Sequence, residues 1–304
     1  MLKKEERSLN LRGQIRQLGS RTVNYINTQG KQNLIIIGVA IILFMIFFVL
    51  NPGMADKYNI LSMVQSLAPY AILAIGVTFV IATGGIDLSI GTVLIASASV
   101  AGSIVMKSNG LLWLAIPLMI AIGTMFGAFN GFMVAKLKLP PFIATLGTMM
   151  FARGVSAIIA VVPNVFFPTN LESDWYRSIF SNFHNFPISL VWVFALMFIC
   201  MFIMNKTKVG RYILAIGSNE EAARLSGIKT DNYKIIAYTI AGLFAGIAAI
   251  FWTAAQQSQQ RQEMEWSLTQ SPEFILAEQA RLAELHLFQV QLLVQSFWLL
   301  FVKD

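Results

Sequence analysis

The stretch ATGGIDLSIGTV, residues 82–93, places a carboxylate, Asp87, and a hydroxyl, Ser89, behind the glycine pair Gly84 and Gly85, with apolar sequence on both sides. A charge inside apolar surroundings costs several kcal/mol unless it is paired or hydrogen-bonded, roughly 2.5 kcal/mol or more at the centre of a bilayer. Three chemistries suit an aspartate so placed. It can cap a helix by accepting backbone N–H bonds, hold a hydroxyl of a polar solute, or relay a proton. A relay needs a chain of ionisable groups, and the apolar segments offer little besides Arg153. Arg153 has two readings of its own, a donor facing a solute pathway or an arginine bonded to backbone carbonyls at a helix break before Gly154. Metal and thiol chemistry find little support: Cys200 is the only cysteine, and His184 and His286 are the only histidines. No nucleophile, metal or acid-pair constellation marks the chain as an enzyme.

The elements that must position these groups are apolar. Of 304 residues, 56% are hydrophobic and only 12% charged, and the mean hydropathy is +0.66. A soluble domain carries roughly 25% charge, so the composition predicts an all-α, polytopic transmembrane helix bundle. Seven spans are expected, at about 34–50, 63–81, 88–105, 111–134, 142–162, 188–204 and 235–254. The first starts too late and runs too long to be a cleaved signal. With a cytoplasmic N-terminus, fifteen Lys and Arg residues fall on inside segments and three on outside segments before the tail. That asymmetry fixes the expected orientation. Residues 1–33 then form a basic cytoplasmic segment, 34–254 the membrane domain, 163–187 the longest external loop and 205–234 the longest internal one. The net charge of +7 is topology information, since no basic stripe with interleaved aromatics suggests nucleic acid.

The spans also carry their own packing and lining signals. Gly123, Gly127 and Gly131 repeat at every fourth residue, the small-xxx-small spacing that lets membrane helices approach closely, and Gly91 and Gly102 are read the same way. Asp87 is expected as the N-cap of the third span, after Gly84 and Gly85 weaken the second. Thr83, Ser89, Thr92, Asn130, Thr145 and Thr148 are the uncharged polar candidates for lining a pathway. In the internal loop, GSNEEAARLSGI carries the marks of a two-turn helix: Asn219 as N-cap, Glu220 and Glu221 in the first turn, Ala222 and Ala223, Arg224 late and Gly227 as the stop. So short a helix must dock on its own bundle or on a partner.

Three blocks resemble one family. ATGGIDLSIG, PPFIATLGTMMFARG (residues 140–154) and GSNEEAARLSGI occur in the order found in membrane permease subunits of ATP-binding-cassette (ABC) importers for ribose, galactose, xylose and similar monosaccharides. The resemblance spans about residues 59–254 and implies a bacterial inner-membrane, multi-pass transport subunit. It implies as partners a cytoplasmic ABC ATPase, an extracytoplasmic sugar-binding protein, a second permease copy or sister permease, and the lipid bilayer. Residues 219–227 become the coupling helix, with Glu220, Glu221 and Arg224 facing the ATPase. The sequence contains no G-x-x-x-x-G-K-[ST] phosphate loop, so no cofactor is expected in this chain, and ATP is expected on the partner. The competing class is an ion-coupled secondary transporter of a small polar solute, which calls for internal repeats, broken helices and cation sites at midplane.

After Ala254 the glycine-rich apolar pattern stops. Residues 255–304 are read either as a Gln-rich linker followed by a surface-lying helix from about Pro272, or as a frameshifted tail. Trp266 to Pro272 admits codons that read ELDAIA one base out of frame, and Leu276 to Ser296 likewise yields GGTSSAGGTASISGTIVGAI. Both alternative readings resemble the family at this point, which places a one-nucleotide frameshift, a real lesion or a sequencing error, near residues 253–257.

Overall fold

The computed structural model describes residues 34–35, 38–39, 41–50, 57–107, 112–159, 174–181 and 186–267. The basic residues 1–33, most of the external loop, His184, and the tail from 268 with His286 lie outside them. The chain divides into two units, Met1–Asn59 and Ile60–Asp304. In the first, α1 (Ile41–Leu50) is apolar on every face, with Phe44, Phe47, Ile42 and Leu50 all exposed. A helix with no polar side belongs in a bilayer or a deep core.

The second unit is built from helices, with no strand among the described residues. They are α2 (Lys57–Ile81), α3 (Ile90–Lys107), α4 (Ala115–Ala135), α5 (Pro141–Ile159), α6 (Asp174–Phe180), α7 (Ile188–Lys206), α8 (Lys208–Ser218), α9 (Glu220–Leu225) and α10 (Thr230–Ser267). Five stretches are long and apolar enough to cross a membrane: Asn59–Ile81, Leu112–Ala135, Pro141–Ile159, Ile188–Lys206 and Thr230–Gln256. The other two expected spans coincide with the shorter apolar helices Ile41–Leu50 and Ile90–Val105. The all-α polytopic bundle read from composition is the fold.

The core lies along α10. Ala237, Ala241, Ala245, Ala248, Ala249 and Ala254 are fully buried there, and α4 runs against them at backbone distance. A methyl group on Gly123 would sit 2.6 Å from the Gly246 nitrogen, and one on Gly127 would sit 2.8 Å from the Gly242 Cα and closer still to the Tyr238 carbonyl oxygen. On Gly131 it would lie 2.8 Å from the Ile235 Cα. The stripe expected for α4 therefore meets a second one, Gly242 and Gly246, on α10. Between membrane helices lipid supplies no hydrophobic drive, so this close approach is the attraction itself, summed over many dispersion contacts. Helix α2 joins at Gly76, whose α-carbon faces the Phe244 side chain. Helices α5 and α7 lie at the periphery and expose Phe142, Ile143, Phe151, Phe194 and Phe202. At the opposite end from the basic α4–α5 turn, α6 lays Tyr176 on α10. The Tyr176 hydroxyl donates to the Ile250 carbonyl at 3.0 Å and lies 2.8 Å from the Thr253 hydroxyl, beside a Phe180–Phe251 ring contact at 5.5 Å.

One expectation is corrected. The Gln-rich stretch after Ala254 is not a linker as far as Ser267, because α10 continues through it. Gln, Arg, Glu and Met are good helix formers, and no glycine or proline interrupts them before Pro272.

The α4–α10 contact makes a prediction. Gly127→Ala pushes a methyl into α10 backbone, which cannot yield like a side chain, and overpacking of this kind costs about 1–3 kcal/mol. Gly147, on the same bundle, has nothing within 4 Å of a built Cβ. In detergent, Gly127→Ala should lower the thermal unfolding midpoint by several degrees, whereas Gly147→Ala should leave it unchanged or raise it slightly.

Candidate functional site

The glycine-aspartate stretch forms the connector between α2 and α3. Gly84 takes φ +78, a conformation open to glycine and costly for side-chain-bearing residues. It closes α2 as a Schellman motif, with Gly84 N–H on the Ile81 carbonyl at 2.8 Å and Gly85 N–H on the Val80 carbonyl at 3.1 Å. The carbonyls that lipid could not satisfy are thus used within the chain. Five residues after Gly85 the backbone enters α3 at Ile90. Here the expected register is off by two: Ser89, whose carbonyl receives Val93 N–H at 2.8 Å, occupies the N-cap position. Asp87 caps from upstream instead. Its Oδ1 accepts Ser89 N–H at 2.9 Å and the Ser89 hydroxyl at 2.7 Å. Although Asp87 keeps some exposed surface as a residue, its carboxyl is enclosed by protein, and that burial pushes its pKa up while the Ser89 bonds pull it down.

From Ser89 a hydrogen-bonded ladder crosses three helices. The Thr148 hydroxyl of α5 donates to Asn130 Oδ1 of α4 at 2.6 Å, Asn130 Nδ2 donates to Ser89 Oγ at 2.8 Å, and Ser89 donates to Asp87. All donors point the same way, toward the carboxyl, an arrangement in which each bond polarises the next. Leu88 N–H adds a second tie to α5 through the Thr145 hydroxyl at 3.3 Å. Four of the six polar candidates therefore meet in one seam. Thr83 and Thr92 do not join it, because their hydroxyls bond the Val80 and Ser89 carbonyls at 2.7 Å each. All six are buried, and the four that meet form a closed joint between helices. Arg153 stands apart. It is exposed on α5, and its guanidinium meets no hydrogen-bond or ion-pair partner among the described residues.

The internal loop folds into a helical hairpin. Thr207 caps α8, accepting Gly210 N–H at 3.3 Å, and Asn219 caps α9, accepting Ala222 N–H at 3.0 Å. Gly227, at φ +84, ends α9 in a second Schellman motif, with Gly227 N–H on the Arg224 carbonyl at 3.0 Å and Ile228 N–H on the Ala223 carbonyl at 3.1 Å. Ala223 is the side chain of α9 that turns inward. The charges do not all face outward. Both Glu220 carboxylate oxygens lie 2.7 Å from Lys234 Nζ of α10, so this residue staples α9 to its own bundle. Glu221 pairs with Arg224 on the exposed side, where the guanidinium holds the carboxylate below its usual pKa. Beside them Leu225 is 82% exposed.

Two contacts that sequence reasoning missed hold the connector, one from this hairpin and one from α10. A methyl on Gly217 of α8 would overlap the Ala82 carbonyl oxygen, so the two backbones touch. The Tyr238 hydroxyl of α10 donates to the Ile86 carbonyl at 3.2 Å, and a methyl on Gly85 would come within 2.7 Å of that hydroxyl. The only sequence hint was a tyrosine in an alanine-rich span, one turn after Lys234. At this same end, Asp231 bonds Lys138 at 2.6 Å and lies 3.7 Å from Lys136, joining the α4–α5 turn to the start of α10. No cluster of three or more His, Cys, Asp or Glu fit to hold a metal occurs among the described residues. The arrangement is one of capped reversals, a polar joint and a stapled hairpin.

Comparison with known proteins agrees. A family described as branched-chain amino acid transport system / permease component matches residues 59–275. The chain is 34% identical over 222 residues to the ribose import permease protein RbsC of Haemophilus influenzae, covering 72% of this chain and 68% of that one. It is 37% identical over 204 residues to the fructose import permease protein FruF of Bifidobacterium longum (64% and 55% covered). It is 33% identical over 220 residues to the L-arabinose transport system permease protein AraH of Escherichia coli (72% and 66%). No solved structure matches. The chain is a multi-pass inner-membrane transport subunit and belongs to this family of bacterial transport permease components.

Proposed function

We propose that this chain is the permease subunit of an ATP-driven ABC importer that moves a monosaccharide, a ribose-like pentose or a hexose, across the cytoplasmic membrane. The observation that carries the reading is the α8–α9 hairpin: a capped helix, held to the bundle by Glu220 and Lys234, that presents Glu221, Arg224 and Leu225 outward. The sugar comes from the relatives, whose names give ribose, fructose and L-arabinose. An apolar knob ringed by a charged pair is the composition of an interface core with a polar rim. A cytoplasmic ABC ATPase is the partner it fits, and ATP binding there would close the motor and displace α9 between cavity states. An extracytoplasmic sugar-binding protein would deliver the substrate, and a second permease copy or sister permease would complete the pathway. The ion-coupled alternative lacks support, since one carboxyl, Asp87, at a helix reversal supplies neither a cation cage nor a proton chain.

The tail belongs to the same proposal. Codons compatible with residues 266–272 and 276–296 can read ELDAIA and GGTS-like sequence in another frame, suited to continuing the membrane domain, so a one-nucleotide shift near residues 253–257 would account for residues 255–304. A bundle lacking its last spans leaves helix faces uncovered, so the chain as written should transport poorly. Resequencing the gene should recover an open frame encoding ELDAIA followed by GGTS. An intact frame as written, with neither motif in the other frames, would make the tail a genuine domain.

The dock makes a separate prediction, for the permease in its verified frame. Glu221→Lys sets two cations side by side in the proposed contact, and like-charge juxtaposition costs an interface several kcal/mol while barely disturbing an exposed loop. The variant should insert normally and lose most ATP-coupled sugar uptake, and Leu225→Asp should do the same. Wild-type uptake by both at normal expression would remove α9 from the interface.

A further inference from the structure

The connector 82–89 is held by several elements that differ in what they could transmit. On one flank Gly217 of α8 meets the Ala82 carbonyl backbone to backbone. With no side chain between them, a displacement of α8 reaches the connector undamped. On another flank Tyr238 holds the Ile86 carbonyl. Tyr238 lies one turn along α10 from Lys234, the residue that binds Glu220 of α9 at 2.7 Å, so positions 234 and 238 share one helix face. The hairpin thus has two routes to the same backbone. Beyond the connector stands the ladder, whose members Ser89, Asn130 and Thr148 are at most 2% exposed. Opening it would strand several buried donors and acceptors together, each losing its hydrogen-bond partner away from water. A joint of this kind is either made or broken, with little between.

We propose that the connector 82–89 is the element through which displacement of the α8–α9 hairpin reaches the membrane-spanning helices, and that Thr148, Asn130 and Ser89 are positioning residues that latch α5, α4 and α3 at its end. Gly217 and Tyr238 are the contacts that load it. The proposal rests on α9 being the ATPase dock, but its parts lie elsewhere in the chain. None of these residues needs to touch sugar. They set whether the helix ends stay together until the motor moves.

The test uses Thr148→Val, which keeps the shape of the side chain and removes its hydroxyl, and Thr148→Ser, which keeps the hydroxyl. Both are made in the frame-verified permease, assembled with its ATPase and binding protein in proteoliposomes. Thr148→Val should lower sugar moved per ATP hydrolysed by about tenfold, the scale of one lost buried hydrogen bond, while hydrolysis continues. Thr148→Ser should restore most of the ratio. Amide exchange over residues 86–93, measured on the same samples, should quicken in the valine variant and not in the serine variant. An unchanged ratio or unchanged exchange in Thr148→Val overturns the latch, as does equal damage by valine and serine, which would mark a packing effect. The dock is judged separately. Normal coupling in Glu221→Lys together with uncoupling in Thr148→Val removes the dock and leaves the latch, and the reverse pair of results removes the latch and leaves the dock.

Discussion

The approach of α4 to α10 without side chains between them is the constraint on which the rest depends. Gly123 and Gly127 against Gly242 and Gly246, and Gly131 against Ile235, bring two backbones within contact of each other, closer than helices bearing larger residues at these positions can come. Asn130 sits between two of those glycines on α4, and Tyr238 lies on α10 where the Gly127 contact falls. The spacing of the two polar groups that hold the connector is therefore set by the glycines. Widen the seam by one methyl and the separation of Asn130 and Tyr238 changes with it. Packing and polar geometry are one problem here.

Around that seam, backbone polar groups are accounted for before the chain turns. In a bilayer an unsatisfied amide or carbonyl costs several kcal/mol, so a helix can end only where its last groups find partners. Both glycine-terminated helices, α2 at Gly84 and α9 at Gly227, solve this in the same way, by a left-handed residue that folds the following amides back onto the final carbonyls. Asp87 does the complementary work at the start of α3. The carboxylate that is so conspicuous in the sequence is first a structural acceptor, and its position at the foot of the ladder makes it the anchor of a joint between three helices.

Much of this was legible in the sequence where a residue type fixes a local conformation or a period. The glycine repeat of α4, the Asn219 cap, the Gly227 stop and the apolar spans all follow from rules that need no partner. What required the fold is what lies across space. The second glycine stripe on α10 looked like two glycines in an alanine-rich run. Glu220 was expected to face the ATPase because the resemblance makes 219–227 the coupling helix, and Lys234, fourteen residues on, could not be matched to it by spacing. Asp87 was displaced by two residues because the N-cap is defined by where helical dihedrals begin. The Gln-rich segment read as a linker by composition although its residues favour helix. Thr83 and Thr92 resembled Thr145 and Thr148 by type alone, and only the bonds that Thr145 and Thr148 make across helices separate them.

A transport subunit that takes its energy through α9 has one decisive signature. Proteoliposomes holding the frame-verified permease with its ATPase and binding protein should accumulate labelled ribose, fructose or L-arabinose only when hydrolysable ATP is present on the cytoplasmic side, and dissipating the sodium and proton gradients should leave that uptake intact. Uptake that persists without ATP and collapses with an ion gradient would contradict the account.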